Sequence, residues 1–188
     1  MNNEGQPAFG HAYKIIEAQG VKIGIVGFLT QYIPHWEKPS IIKDLTFQSI
    51  LTTAKDILPD LRQSVDLLIV AYHGGFERDL QTGLPTEILT GENEAYQLVE
   101  EYKDYIDALV TGHQHREIAD HLFGVPVIQP GYRGAFVGEI ELELDNHKKV
   151  VASNARLHKT ENCKVSSEVN QLISVVSEEA EDWLDQPM

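Results

Sequence analysis

The chain has 188 residues and a formal net charge of −14, and 42% of its residues are apolar. This length supports one domain with a substantial core. The acidic excess argues against DNA or long RNA as a partner, because contacts to nucleic-acid phosphates come mainly from Lys and Arg. No stretch approaches the run of about 20 apolar residues that a membrane span needs, so we expect no membrane partner.

Apolar runs and turn residues predict the elements in chain order. Two short strands, YKIIEAQ and VKIGIVGFL, come first, and a loop follows. Thr46 then caps a helix that runs to Ser64, with a kink or interruption at Pro59. The apolar strand VDLLIVAYH, a polar loop and the helix ENEAYQLVEEYKDY come next, and the acidic first turn of that helix suits its dipole. Four strands, IDALVT, VPVIQP, AFVGEIELELD and VVASNARLHKT, then lead to an acidic amphipathic helix that stops near Pro187.

This order predicts an α/β layered sandwich with a mixed sheet, a C-terminal β-hairpin and a final helix. Ligands of such folds bind beyond the carboxyl ends of the strands. Two buried strands end there in a similar way: DLLIVAY is followed by His73 and two glycines, and DALVT by Gly112, His113, Gln114 and His115.

Three imidazoles converge on one place if these two strands are neighbours. Neutral imidazole is a good ligand for zinc, manganese and similar ions. In an extended segment, residues two apart point the same way. His113 and His115 would then face one ion, or two ions about 4 Å apart.

The same histidines have a plainer interpretation, and the pattern alone leaves both open. With eight histidines in the chain, an H-x-H pair arises by chance in roughly one such chain in three. A histidine at a strand end is more often a hydrogen-bonded loop residue than a ligand. Asp66 and Asp107 precede the same two strands, so we expect them at the opposite end of the sheet. Surface roles are the default for the remaining histidines, which are His11, His35, His121, His147 and His158.

Other chemistries have less support. The chain lacks the glycine-rich nucleotide-binding motifs and the G-x-S-x-G nucleophile elbow. Its single cysteine, Cys163, excludes an internal disulfide framework and a cysteine-rich zinc site. We expect Tyr32 and Trp36 either to stack on a base or to pack within their loop. Arg133 in QPGYRG is expected either to contact a phosphate or to be solvated. The start MNNEGQPAFG has no signal-peptide pattern, so the cytoplasm is slightly favoured and the compartment stays open.

Six segments stand in a characteristic order along the chain: GVKIGIVGFLTQYIPHWEKP, VAYHGGFE, GENEAYQLVEE, VTGHQHR, QPGYRGAFVGEIELELD and WLDQP. This ordered set resembles the bacterial 5′-nucleotidase and 2′,3′-cyclic-nucleotide phosphodiesterase branch of the calcineurin-like metallophosphoesterases. The resemblance implies a metal-dependent hydrolase that acts on a nucleotide or another small phosphate ester.

The resemblance also implies a site. His73, His113 and His115 would be ligands of a centre that holds two ions of the zinc, manganese or cobalt type in the intact family. A bridging water or hydroxide would attack phosphorus there. Arg133 is a weak candidate for substrate binding.

The departure from the family is as informative as the match. The family also has an Asp-x-His, a further Asp and an Asn-His-Glu segment near the start of its domain, and ahead of the histidines we find neither the Asp-x-His nor the Asn-His-Glu. We therefore assign no catalytic residue in this chain and expect those residues in a missing N-terminal part. Residues 1–165 would be the C-terminal half of the catalytic domain, and 166–188 would lead into an absent nucleotide-binding domain.

Three expectations follow for the isolated chain. It should hold at most one ion and have little or no phosphoesterase activity. It should self-associate or pair with a missing N-terminal half, because a sheet cut through its middle exposes apolar strands. The alternative function is a metal-binding or regulatory module that uses only histidines and has no catalysis.

Overall fold

The computed structural model of the chain describes residues 1–2 and 4–186. The described strands are β1 (Tyr13–Ala18), β2 (Val21–Leu29), β3 (Leu67–His73), β4 (Ala108–Thr111), β5 (Glu117–Leu122), β6 (Val125–Pro130), β7 (Phe136–Leu144) and β8 (Val150–Lys159). The described α-helices are α1 (Pro39–Ile42), α2 (Ile50–Ser64), α3 (Ala95–Tyr102) and α4 (Ser167–Leu184).

Six of these strands form one sheet in the order β1-β2-β3-β4-β6-β5. The pairs β2–β3, β3–β4 and β4–β6 are parallel, whereas β1 and β5 pair antiparallel at the two edges. Strands β7 and β8 form a second, two-stranded sheet. The predicted α/β class, with its mixed sheet, C-terminal hairpin and helix, is confirmed.

Helices α2 and α3 cover one face of the six-stranded sheet and enclose the core. Leu58 of α2 and Leu98 of α3 are fully buried there with Leu68, Val70 and Leu109 from the two central strands. Burying a side chain of this size stabilises the fold by about 1.5–3 kcal/mol. The core therefore fixes β3 and β4, the two strands that carry the candidate histidines.

The hairpin of β7 and β8 packs on the opposite face near β6. A Cβ on Gly138 would lie 2.8 Å from Cδ1 of Ile128, so glycine allows the hairpin this close approach. On the same face of the sheet, Leu29 and Val110 remain 47% and 39% exposed. Whether this apolar surface drives self-association stays a prediction.

Two aspartates anchor the amino ends of the central strands. The Asp107 carboxylate accepts the N–H of Leu68 at 2.7 Å and pairs with Arg62. The Asp66 carboxylate accepts the N–H of Lys22 and the ammonium of Lys148, each at 2.8 Å. The hydrogen bond from Lys148 is the main cause that lowers the pKa of Asp66. Both residues lie at the end of the sheet opposite His73, as predicted.

The structure corrects three local predictions. Helix α2 begins at Ile50, because the Ser49 hydroxyl, and not Thr46, caps it by accepting the N–H of Leu51. The helix also runs through Pro59 without the interruption that was one of the two alternatives there, and Leu58 and Leu61 are buried on either side. Strand β5 was not predicted, since its charged residues mask an edge strand that pairs with β6.

Contacts divide the chain into two compact units, and the second begins at Lys159. Its main element is α4, whose first turn is capped by the Ser166 hydroxyl. The predicted helix end near Pro187 lies outside the described residues, and the predicted domain boundary at residue 165 stays a prediction. None of the described helices combines the length and apolar character required to cross a bilayer.

A core truncation tests this arrangement. Leu68→Ala should lower the free energy of unfolding by about 2–5 kcal/mol, because it leaves a cavity at a fully buried position. Leu84→Ala is the matched control at a 66% exposed leucine and should change it by less than about 0.5 kcal/mol. Urea denaturation followed by circular dichroism measures both, and equal effects would contradict the assigned core.

Candidate functional site

The site lies where β3 and β4 end side by side. Tyr72 of β3 pairs with Thr111 of β4, so His73 and the loop that begins at Gly112 leave the sheet at one edge. The N–H of Gly112 donates to the carbonyl of Gly74 at 3.1 Å, which joins the two loops. The neighbouring strands on which the histidine hypothesis depends are therefore present.

Two of the three candidate imidazoles are adjacent. The ring centroids of His73 and His113 are 5.4 Å apart, with the ring planes at 63°. Partial burial lowers the pKa of His73 from its usual 6.5, and the imidazoles of His113 and His115 lower it further. A lowered pKa keeps His73 neutral near pH 7, so its ring retains a lone pair for a metal ion.

The segment from His113 to His115 is not extended, which corrects the sequence argument for a shared direction. Both histidines have left-handed backbones, with φ of 67° and 59°, and the N–H of Gln114 donates to the carbonyl of Gly112 at 2.8 Å. His115 stacks on Tyr132, with centroids 5.3 Å apart. Within residues 1–2 and 4–186, no three His, Cys, Asp or Glu side chains are grouped closely enough to hold an ion. The three-histidine ligand set therefore stays a prediction.

The side chain of Gln114 holds this strained turn in place. Left-handed backbone at a non-glycine residue costs of order 1–3 kcal/mol and persists only where the surroundings enforce it. The Gln114 amide accepts the N–H of Phe76 at 2.9 Å and donates to the carbonyl of Phe76 at 3.0 Å. A Cβ on Gly75 would lie 2.1 Å from the amide oxygen, so a larger residue there would displace the Gln114 side chain. Gly75 thus makes room for the side chain that holds the turn with the other histidines.

Glu92 is the main site residue that the sequence argument missed. Its Oε1 lies 2.9 Å from Nε2 of His113. Asn93 follows and accepts the N–H of Gly75 at 2.6 Å through Oδ1. Both residues precede helix α3, which begins at Ala95, so they are not the acidic first turn that the sequence predicted. Asn93 was the available sign, because asparagine favours caps and turns over helix interiors.

Two buried carboxylates bind the starts of the helices at this edge. Glu94 accepts the Ser49 hydroxyl at 2.8 Å and the N–H of Ile50 at 3.3 Å, at the start of α2. Glu77 accepts the N–H groups of Tyr96 and Gln97 at 3.0 and 2.9 Å, at the start of α3. Burial raises the pKa of both carboxyls. These contacts fix the loops after β3 against both helices.

An aromatic cluster covers His113 on another side. The indole of Trp36 lies 5.1 Å from the His113 ring, and Tyr32 lies 5.6 Å from the indole. Tyr32 also stacks on His35 at 3.8 Å. The predicted loop-packing role of these residues is therefore realised, and His35 is not a purely solvated histidine. Trp36 remains 49% exposed.

Arg133 is connected to the site through Tyr132. Its guanidinium lies 5.3 Å from the centre of the Tyr132 ring, which in turn stacks on His115. A separate open cleft beside His113 has a volume of about 540 Å³ and is lined by Glu92, Asn93, Gln114 and Arg116 among others. The role of Arg133 in substrate binding stays a prediction.

The sequence does contain one Asp-x-His triplet, at Asp145–His147, but it forms the β7–β8 turn. Oδ1 of Asp145 accepts the N–H groups of His147 and Lys149, each at 2.8 Å. The triplet is therefore a turn motif and does not replace the family's early Asp-x-His. His121 and His158 have surface partners, Ser153 and Glu139 respectively.

Comparison with curated proteins finds nucleotide phosphoesterases. No protein-family model matches the chain. It is 29% identical over 143 residues to the 2′,3′-cyclic-nucleotide 2′-phosphodiesterase/3′-nucleotidase of Salmonella typhimurium, which covers 68% of this chain and 21% of the relative. It is 28% identical over 142 residues to the trifunctional nucleotide phosphoesterase protein YfkN of Bacillus subtilis, which covers 68% of this chain and 9% of that protein. The chain therefore spans about a fifth or less of the length of these relatives.

Solved structures extend the similarity to nearly the whole chain. A Staphylococcus aureus protein assigned as a 5′-nucleotidase, crystallised with α-ketoglutarate, is 38% identical and superposes with a TM-score of 0.84. That match covers 95% of this chain and 35% of the other. The chain thus has homologues and structural neighbours among 5′-nucleotidases, cyclic-nucleotide phosphodiesterases and calcineurin-like phosphoesterases. The calcineurin-like phosphoesterase YfkN shares the fold, with a TM-score of 0.82 at 23% identity over 98% of this chain and 62% of that one. These matches confirm the resemblance that the sequence segments predicted.

The lowered pKa of His73 gives a pH test of the site. A histidine whose pKa is lowered by folding loses its proton at lower pH than a free one, so His73 should titrate below 6.5. In His113→Ala its midpoint should rise part of the way towards 6.5, because partial burial, the larger cause, remains. NMR titration of the imidazole C–H signals measures this, with His121→Ala as the control that leaves the midpoint unchanged. A wild-type midpoint at or above 6.5 would contradict the placement of His73 in a partly buried position beside the other imidazoles.

Proposed function

We propose that this chain carries part of the divalent-metal site of a phosphoesterase that hydrolyses nucleotide phosphate esters, with His73, His113 and His115 as the ligands. The observation that supports it most is the pair of imidazoles, 5.4 Å apart, from the ends of two adjacent parallel strands. The homology to nucleotide phosphoesterases supplies the substrate class.

The donor set suits a metal of the zinc, manganese or cobalt type. Imidazole binds all three ions, and the lowered pKa of His73 keeps its lone pair free. Calcineurin-like phosphoesterases use divalent metals. When bound, such ions polarise the phosphate ester and make water a stronger nucleophile.

The residues of this chain contribute position and surroundings to that chemistry. Gln114 holds the strained turn that presents His113 and His115, and Glu92 binds the outer nitrogen of His113. The indole of Trp36 packs against the His113 ring, with the ring centroids 5.1 Å apart. Arg133, held against Tyr132, is the candidate for a contact with the phosphate group.

We also infer that the chain alone is incomplete as a catalyst. Within residues 1–2 and 4–186, no group of three or more His, Cys, Asp or Glu side chains is arranged to hold a metal ion. Three histidines are enough for one ion with open positions, whereas a bridged pair of ions needs further ligands. A second stretch of polypeptide would supply them. A histidine-only binding or regulatory module without catalysis is the second candidate, because the adjacent imidazoles of His73 and His113 can bind an ion without a bridging carboxylate.

Metal binding has a built-in reporter in Trp36. In Trp183→Phe, which retains only Trp36 of the chain's two tryptophans, Co²⁺ should quench the fluorescence saturably. His73→Ala or His113→Ala should weaken Co²⁺ binding by at least about tenfold, the lower end of what even an outer-sphere change costs. His121→Ala is the matched control, and equal binding by all variants would contradict the histidine site.

Activity separates the two candidates. The purified chain with Mn²⁺ or Zn²⁺ should hydrolyse nucleoside monophosphates and 2′,3′-cyclic nucleotides far more slowly than the typical enzyme value of about 10 per second. If the chain is part of a catalyst, adding a polypeptide that carries the family's Asp-x-His and Asn-His-Glu segments should restore phosphate release. If the chain is a binding module, the same addition should have no effect. Turnover near the typical value by the chain alone would contradict its incompleteness.

A further inference from the structure

The carboxylate of Glu92 has a partner that the metal proposal leaves unexplained. Its Oε1 lies 2.9 Å from Nε2 of His113, and the two side chains are only 31% and 19% exposed. The contact joins residues 21 positions apart in the sequence, so it depends on the tertiary fold.

The chemistry of the pair fixes which imidazole nitrogen carries the proton. An ionised carboxylate only accepts hydrogen bonds, so Nε2 of His113 must donate. In the neutral ring the lone pair is then on Nδ1. Among residues 1–2 and 4–186, Nδ1 of His113 has no hydrogen-bond partner, which leaves this nitrogen available to a ligand.

The main chain holds Glu92 against the strand ends that carry the histidines. The Glu92 carbonyl accepts the hydroxyl of Thr30 at 2.6 Å and that of Tyr72 at 3.3 Å. Thr30 is 1% exposed, and its N–H donates to the carbonyl of His73 at 3.1 Å. These hydrogen bonds hold the backbone of Glu92 next to the end of β3 and His73. On the other side, Trp36 packs against the His113 ring.

We propose that Glu92 is a positioning residue, whose carboxylate binds the Nε2–H of His113 and so presents Nδ1 to a divalent metal ion. This inference rests on the proposed metal site. Outer carboxylates of this kind fix the tautomer and orientation of a ligating histidine and increase its basicity, and their loss costs metal affinity by about 10–100-fold.

The test observes the tautomer first, without any metal. In the metal-free chain labelled with ¹⁵N-histidine, long-range ¹H–¹⁵N spectra should show His113 as the Nε2–H tautomer. In Glu92→Gln the neutral amide both donates and accepts, so the two tautomers should mix. Glu101→Gln, at the accessible surface of α3, is the matched control and should leave His113 unchanged.

Zinc binding is the second readout. Zn²⁺ should shift the Nδ1 signal of His113, and Glu92→Gln should raise the zinc dissociation constant by about 10–100-fold, with thermal unfolding of the metal-free chain showing that the variant folds. An Nδ1–H tautomer in the wild-type chain, zinc bound through Nε2, or an unchanged dissociation constant in Glu92→Gln would each overturn the role of Glu92. A wild-type chain that binds no zinc would instead overturn the metal site itself, and the tautomer measured without metal distinguishes that failure from a wrong assignment of Glu92.

Discussion

The parallel pairing of β3 with β4 is the constraint on which the rest of the site depends. Because Tyr72 stands opposite Thr111, the residues that follow each strand meet at one edge, although His73 and His113 are 40 positions apart in the chain. The register is enforced from the core, where Leu68, Val70 and Leu109 are fully buried. A slip of one residue would turn these side chains out of the core, so the placement of the histidines is secured by apolar burial.

The segment from Gly91 to Glu94 connects this edge to the helices around it. Glu92 contacts His113, Asn93 contacts the loop after His73, and Glu94 contacts the start of α2. Three successive polar side chains thus each bind a different element. The segment therefore links His113, the loop after His73 and the start of α2. Helix α3 begins directly after it, at Ala95.

The sequence predicted the frame of the molecule better than its details. Apolar runs located β2, β3, β4 and β6, since buried strands are marked by composition alone. Strand β5 was missed because its exposed charged residues carry little apolar pattern, and its pairing with β6 is tertiary. The histidines were found as candidates, but their left-handed backbone depends on the Gln114 amide. The local pattern places Glu92 in a helix. The residues that hold it outside the helix, Thr30 and His113, are distant in sequence and therefore leave no sign in that pattern.

The carboxylates at the helix starts have an electrostatic consequence. A helix N-terminus is a ready-made site for a phosphate, because its N–H groups carry partial positive charge. At this edge, the starts of α2 and α3 are already bound by Glu94 and Glu77. The fold therefore neutralises the partial positive charge of these two helix starts with its own carboxylates, in a protein whose net charge is −14. Neither helix start is left free to bind an external anion in this way.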